Sequence, residues 1–195
     1  SKPERVVVLS ENLADVILAL GYESTLKGRS AECTQSELAV LPEVSLSDLD
    51  GLKALEPDLI LVDAEPENAD ALAMEGLPVA VILPATGRSD FEREYAEVGS
   101  ALNGQIDGAE FAVKRAQDIF LAIDDITRNA PASNIITTAC YLYDLEGNAA
   151  TGDTLAGELI SATGATNAFE NTAAGEATLA ALTVANPNYI FCPTG

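Results

Sequence analysis

Histidine is absent from the 195-residue chain, and that gap removes a large part of enzyme chemistry. Without imidazole there is no His general acid or base. There is also no Ser-His-Asp or Cys-His nucleophile system and no His-ligated zinc or manganese site. Carboxylate or lysine chemistry is what remains. Tryptophan is missing too, and aromatic residues make up only 5%. The apolar 48% is therefore carried by Ala, Leu, Val and Ile, a composition that suits helices laid on a largely parallel sheet. Basic residues number 10 against 31 acidic ones, a net charge of -21. A protein that binds phosphate backbones needs a basic stripe, so nucleic acid is excluded as a partner. The acidity itself fits plain solubility, a partner with a basic docking face, or a cationic ligand.

Three cysteines, Cys33, Cys140 and Cys192, are widely spaced with no CxxC pair, so neither a zinc knot nor a thioredoxin-type motif is indicated. Cys140 and Cys192 fall in predicted strands and are expected as two buried, reduced thiols rather than a disulfide. No apolar run reaches the length of a membrane span. There is no GxGxxG after the first predicted strand, no GxxxxGK[ST] and no GxSxG. The sequence does not begin with Met, and for a secreted protein a signal segment is expected outside it.

What is present is a regular alternation. Arg5–Leu9 reads as a buried strand, Ser10 as an N-cap, and Leu13, Val16, Ile17 and Leu20 follow at helical spacing before Gly21. Strands are predicted over Thr25–Arg29, Asp58–Val62 and Pro78–Leu83, with helices over Ser47–Leu55 and Asn68–Glu75 between them. This is a parallel α/β layer. A helix over Asp90–Leu102 breaks near Asn103–Gly104, and an amphipathic helix over Gln105–Arg128 follows, about 35 Å long at 1.5 Å per residue. Its length predicts a strut between lobes. Beyond the stop signal at Asn129–Ser133 come a strand over Asn134–Leu142 and a Gly-rich loop over Gly147–Gly152. A helix over Asp153–Thr163, a short helix over Leu179–Ala185 and a strand over Tyr189–Cys192 complete the chain.

The two halves echo each other. Ala54–Val62 and Val184–Cys192 share one pattern: a helix end, a polar residue, Pro, a polar residue, then an apolar strand. Two lobes of related topology follow from this. Only two clear strands are predicted in the second, fewer than a stable sheet needs. That lobe is expected to be incomplete as it stands.

With that layout in view, the sequence resembles the helical-backbone (class III) periplasmic substrate-binding proteins of ATP-binding-cassette importers, the group that carries ferric siderophores, haem and cobalamin. The resemblance runs from Arg5 to Cys192. It rests on Arg5–Ser10 with Leu13–Asp15 and Leu18–Gly21, on Glu32–Thr34 with Leu41–Val44, and on Leu52 with Leu55–Ile60. In the second half it rests on Gly157–Ile160 with Gly164 and Asn167–Phe169. The resemblance implies two Rossmann-like lobes with parallel sheets joined by a long backbone helix: a first lobe over 1–103, the helix over 104–130 and a second lobe over 131–195. It implies an extracytoplasmic protein, periplasmic or a cell-surface lipoprotein. Its ligand would be an iron-siderophore, haem or cobalamin-type molecule in the interlobe cleft, its partner an ABC permease, with no catalytic residue, metal or cofactor of its own. Members carry an acidic residue on each lobe, seven positions before the Pro, for docking to permease arginines. Here the first is Asp50. The second position holds Ala180, with Glu176 near enough to substitute.

In open α/β sheets ligands meet the loops beyond the carboxyl ends of the strands. Arg29 and Arg88, two of only ten basic residues, fall in such places. Each reads either as a bidentate hold on a ligand carboxylate, hydroxamate or catecholate, or as a surface Arg paired with one of the many acids. Tyr141 and Tyr143 alternate about Leu142 and share one face, either as packing or as a ligand platform. Glu11 and Asn12 open the first helix, for capping or for ligand contact. Glu65, Glu67 and Asp70 read as a solvated loop, since no EF-hand spacing accompanies them. The alternatives to an importer component are a diverged binding or adhesion module and an α/β enzyme subunit.

Overall fold

The computed structural model describes residues 2–130, 135–173 and 176–192. The chain divides into two compact units, Ser1–Pro84 with Glu92–Ala116, and Ala85–Phe91 with Gln117–Gly195.

In the first unit β1 (Val6–Val8), β2 (Leu26–Arg29), β3 (Leu59–Val62) and β4 (Val79–Val81) form one all-parallel sheet in the order β2-β1-β3-β4. β1 is a run of three valines because it is central and covered on both faces; Val6, Val7 and Val8 are all fully buried. Burying each such side chain contributes about 2 kcal/mol. Val7, Leu9, Ile60 and Val62 pack on one face with Leu52 of α2 (Leu49–Ala54) and Leu72 of α3 (Ala69–Met74). α1 (Glu11–Ala19) begins where Ser10 accepts the N–H of Leu13 through its side chain. It ends at Gly21, whose φ of +76° supplies the left-handed turn. Arg115 donates to the carbonyl of Ala19 at 3.2 Å, placing a cation at a helix end that has no basic residue of its own.

α4 (Arg88–Asn103) and α5 (Ala109–Asn129) are separated by a π-helical turn over Gly104–Gly108. The expected break is there, and the second helix starts four residues later than its periodicity suggested because this turn takes up 104–108. Gly104, at φ +90°, reverses the chain. Gly99 and Gly108 then lie so close that a Cβ on Gly99 would sit 2.3 Å from the carbonyl oxygen of Gly108. The backbones of the two helices touch at this point.

The second unit is built on β5 (Thr138–Tyr141), β6 (Thr166–Asn167) and β7 (Tyr189–Phe191), parallel in the order β6-β5-β7. Two strands were expected and three are present. β6 is two residues long and polar, so it carries no hydrophobic period. Its Asn167 is buried because its amide donates to the carbonyl of Ala150 at 3.0 Å and accepts the N–H of Phe169 at 3.1 Å. α6 (Leu155–Ala162) is capped by Thr154, and α7 (Leu179–Ala185) by Thr178. Cys140, Leu142, Ala149, Phe169, Ala177 and Leu182 form the core. β7 is exposed along its length. The cysteine expectation is corrected in part: Cys140 is buried and unpaired, but Cys192 is exposed.

Candidate functional site

Beyond the carboxyl ends of β1 and β2 lies an open cavity of about 310 Å³, bordered by Leu9, Ser30, Glu32, Glu43, Ser45 and Asp48. Every charged group named there is a carboxylate. Two larger open depressions, about 480 and 530 Å³, flank the edge strand β4. The cavity at the β1 and β2 ends is set among the loops that follow these two adjacent strands.

Four expected site residues lie in this unit. Glu11 and Asn12 are exposed in the first turn of α1. The backbone carbonyl of Glu11 accepts from Gln35 Nε2 at 3.0 Å, which ties the helix start to the loop after β2. The side-chain amide of Asn12 donates to Glu94 Oε1. Arg29 is turned back onto its own loop: Nε donates to the carbonyl of Leu38 at 3.0 Å and Nη1 to that of Ser30 at 3.1 Å, with Glu43 at 3.6 Å. Its guanidinium shapes the 30–43 loop. Asp50 is exposed in the first turn of α2.

In the second unit, Arg88 does not follow a strand; it is the first residue of α4. Its guanidinium makes a fork with the carboxylate of Asp124 at 2.7 and 2.6 Å and lies 4.5 Å from the centre of the Phe120 ring. Its backbone N–H donates to Glu158. The hydrogen bond from Arg88 holds the Asp124 carboxyl below its usual range, and Asp124 in turn raises the Arg88 guanidinium. Tyr141 and Tyr143 are brought together as their alternation implied, rings 5.5 Å apart and nearly perpendicular at 75°. Tyr143 is about half exposed, at 47%. Behind it Asp144 closes a turn, its Oδ1 accepting the N–H groups of Glu146 at 2.8 Å and Asn148 at 3.2 Å. The side-chain hydrogen bond from Asn148, with these backbone donors, pulls the Asp144 carboxyl down. Glu176 is exposed.

Sequence reasoning missed Glu94, Phe120 and Asp124 as partners of expected site residues. Glu94 is buried at 2% exposure. Its signal was positional: three residues after Phe91 and four before Val98, it falls on the apolar face of α4 despite its charge. Among the described residues no group of three or more Cys, Asp or Glu side chains is placed to hold a metal ion, and no helix is long and apolar enough to cross a membrane.

No protein-family model matches this sequence, and no curated protein matches it. Solved structures do. A possible iron-binding, periplasmic solute-binding protein from Staphylococcus epidermidis superposes with a TM-score of 0.74 at 15% identity, over 98% of this chain and 78% of that one. The periplasmic haem-binding protein RhuT from Roseiflexus sp., in apo form, gives 0.76 at 22% identity, over 97% and 76%. The vitamin B12-binding protein BtuF of Vibrio cholerae gives 0.66 at 20%, over 97% and 76%. The chain has the periplasmic-binding-protein fold. That fold is the one the resemblance implied, and it accounts for the parallel sheets and the long α4–α5 passage in a single chain.

Proposed function

We propose that the chain is the extracytoplasmic substrate-binding component of an ABC importer, taking an iron-siderophore, haem or cobalamin-type ligand. The observation that carries this reading is the superposition of nearly the whole chain on periplasmic proteins named for iron, haem and vitamin B12 binding. Those relatives are binding proteins, which favours reversible capture over turnover. On this reading the candidate ligand contacts are Glu11 and Asn12 at the start of α1 in the first unit and, in the second, the Tyr141–Tyr143 pair beyond β5. Arg29 and Arg88 hold the loops from behind. Asp50 and Glu176, both exposed, are the docking carboxylates for the permease.

The test is thermal unfolding of the purified chain against ferric siderophores, haem and cobalamin. A true ligand at a hundredfold excess over its Kd stabilises the fold by about 2.7 kcal/mol, which for a chain of this size raises Tm by roughly 5–10 °C. A shift with one ligand class supports the reading and names its chemistry. No shift with any of them, in a sample that unfolds cooperatively, overturns it in favour of a diverged binding module.

A further inference from the structure

In the first unit β4 ends the sheet order β2-β1-β3-β4, so among the described residues no strand lies on its far side. Its inner side is fixed by β3: the carbonyl of Pro78 accepts from Ile60 at 2.7 Å, and the N–H of Ile82 donates to Val62 at 2.9 Å. Backbone groups alternate in direction along a strand, so the N–H and C=O of Val79 and of Val81 point away from the sheet. Pro78 has no N–H to offer at one end of this edge. At the other, Arg93 Nη2 donates to the Leu83 carbonyl at 2.8 Å. Between these limits the edge is a template for a further strand.

The two depressions beside β4 give this edge its second feature. Val79 and Val81 line one, of about 480 Å³, with Ala69 and Ala73 of α3. Ala80 and Ile82 line the other, of about 530 Å³, with Ala96 and Ala101 of α4. They lie on opposite faces because successive side chains of a strand do. An extended segment paired with β4 sets its own alternate side chains over the same two depressions, which is how strand-addition sites gain specificity. The small residues of both helices leave room there for branched aliphatic groups.

The rim is acidic. Glu65 stands exposed at the first depression. At the second, Arg93 is engaged by Glu97 at 2.9 Å and by Leu83. Asp107 and Glu110 are exposed within two residues of Gln105 and Ala109, which line it. At a net charge of -21, a second copy of the chain meets like charge at this edge, whereas a basic segment meets opposite charge.

We propose that the outer edge of β4 is a strand-addition site for a basic, apolar segment of a partner protein. That segment is an extended stretch of about five residues, aliphatic at alternate positions and flanked by Lys or Arg. The site is separate from the ligand contacts named above and does not depend on them.

The test titrates the chain by calorimetry with capped peptides that share a Val-Ala-Val-Ala-Val centre. One carries Lys at both ends and one carries Glu. A third keeps the Lys ends but has every central amide N-methylated, which preserves charge and removes the edge hydrogen bonds. The Lys peptide is expected to bind roughly tenfold or more tightly than either of the others. Val81→Pro removes an outward N–H, a change that an edge strand tolerates, and is expected to abolish the advantage over the N-methylated peptide. Ala96→Phe fills the α4 depression and serves if Val81→Pro does not fold. Glu65→Lys should narrow the gap between the Lys and Glu peptides. Equal binding of the Lys peptide and its N-methylated form means plain attraction to an acidic surface and overturns the proposal. Binding of neither overturns it too, as does an oligomer of the chain alone that Val81→Pro dissolves, which assigns the edge to a second copy. Thermal shifts with siderophore, haem or cobalamin are independent of all these outcomes, so the two readings fail separately.

Discussion

Glu56 and Asn186 hold the same left-handed backbone, φ 47° and 42°, each one residue before a proline. The likeness extends to the next polar residue. Asp58 accepts the N–H groups of Glu4 at 2.7 Å and Arg5 at 2.9 Å, at the start of β1. Asn188 accepts the N–H of Thr138 at 2.9 Å, at the start of β5. In each unit the same corner thus pins the incoming strand to the first one. The echo between Ala54–Val62 and Val184–Cys192 is a repeated structural device.

The two corners differ in cost. Asn tolerates the left-handed region through its short polar side chain, whereas Glu gains nothing from it. Glu56→Gly removes that strain, worth of order 1 kcal/mol, and is expected to raise Tm by about 2–4 °C. Asn186→Gly is expected to change it little. Thermal unfolding of both variants checks this; a lower Tm for Glu56→Gly would show that its side chain matters more than its backbone.

Much of the first unit was legible because its signals are local. A valine run, a Ser N-cap and glycines after helices placed β1 and α1, and Gly21 and Gly76 both take the positive φ their places implied. The rest depended on partners far apart in sequence. β6 is held by the buried amide of Asn167, which no periodicity reveals. Arg29 and Arg88 stood out as scarce cations. That their guanidinium groups face Leu38 and Asp124 is a tertiary fact. Cys192 falls just past β7, whose three residues are all exposed, so an apolar strand pattern misread both its place and its surroundings.

Phe120 joins two contacts in the second unit, an edge-on pairing with Phe91 at 4.9 Å and the Arg88 guanidinium over its face. It is buried at 7% exposure. Phe120→Ala is expected to cost about 3 kcal/mol, a fall in Tm of roughly 6–12 °C. Arg88→Ala in the Phe120→Ala background should then cost less than in the wild type, because the cation–ring contact is already gone. Strict additivity in this double-mutant cycle would remove the coupling.

The contact of α4 with α5 leaves no room for a side chain at Gly99. An added Cβ would lie 2.3 Å from the Gly108 carbonyl oxygen and 2.6 Å from the Ala112 Cβ. Gly99→Ala is therefore expected to destabilise by about 1–3 kcal/mol, despite the better helix propensity of Ala. At Gly104 the space is open but φ is +90°, so Gly104→Asn should be milder than Gly104→Val. Denaturant midpoints measured at constant slope separate these cases. A Gly99→Ala variant as stable as the wild type would mean that the two helices move apart at no cost.

The turn behind the tyrosine pair is expected to make acid loosen the platform. Asp144 is held below its usual carboxylate range by Asn148 and the turn N–H groups. A carboxylate with a lowered folded pKa stabilises the protein above its ordinary value of about 4. That contribution is lost as pH falls through the lower folded value. Asp144→Asn should therefore melt below the wild type at pH 7, with the gap narrowing as pH drops below about 4. The same loss should reach Tyr143, whose N–H donates to the Asn148 carbonyl at 2.8 Å across this turn. With no tryptophan in the chain, tyrosine emission reads the Tyr141–Tyr143 pair against few competing rings. A Tm gap that stays constant from pH 7 to about pH 2.5, below the ordinary carboxylate range, would show that the Asp144 charge contributes nothing to the turn, and the platform would then owe its order to β5 alone.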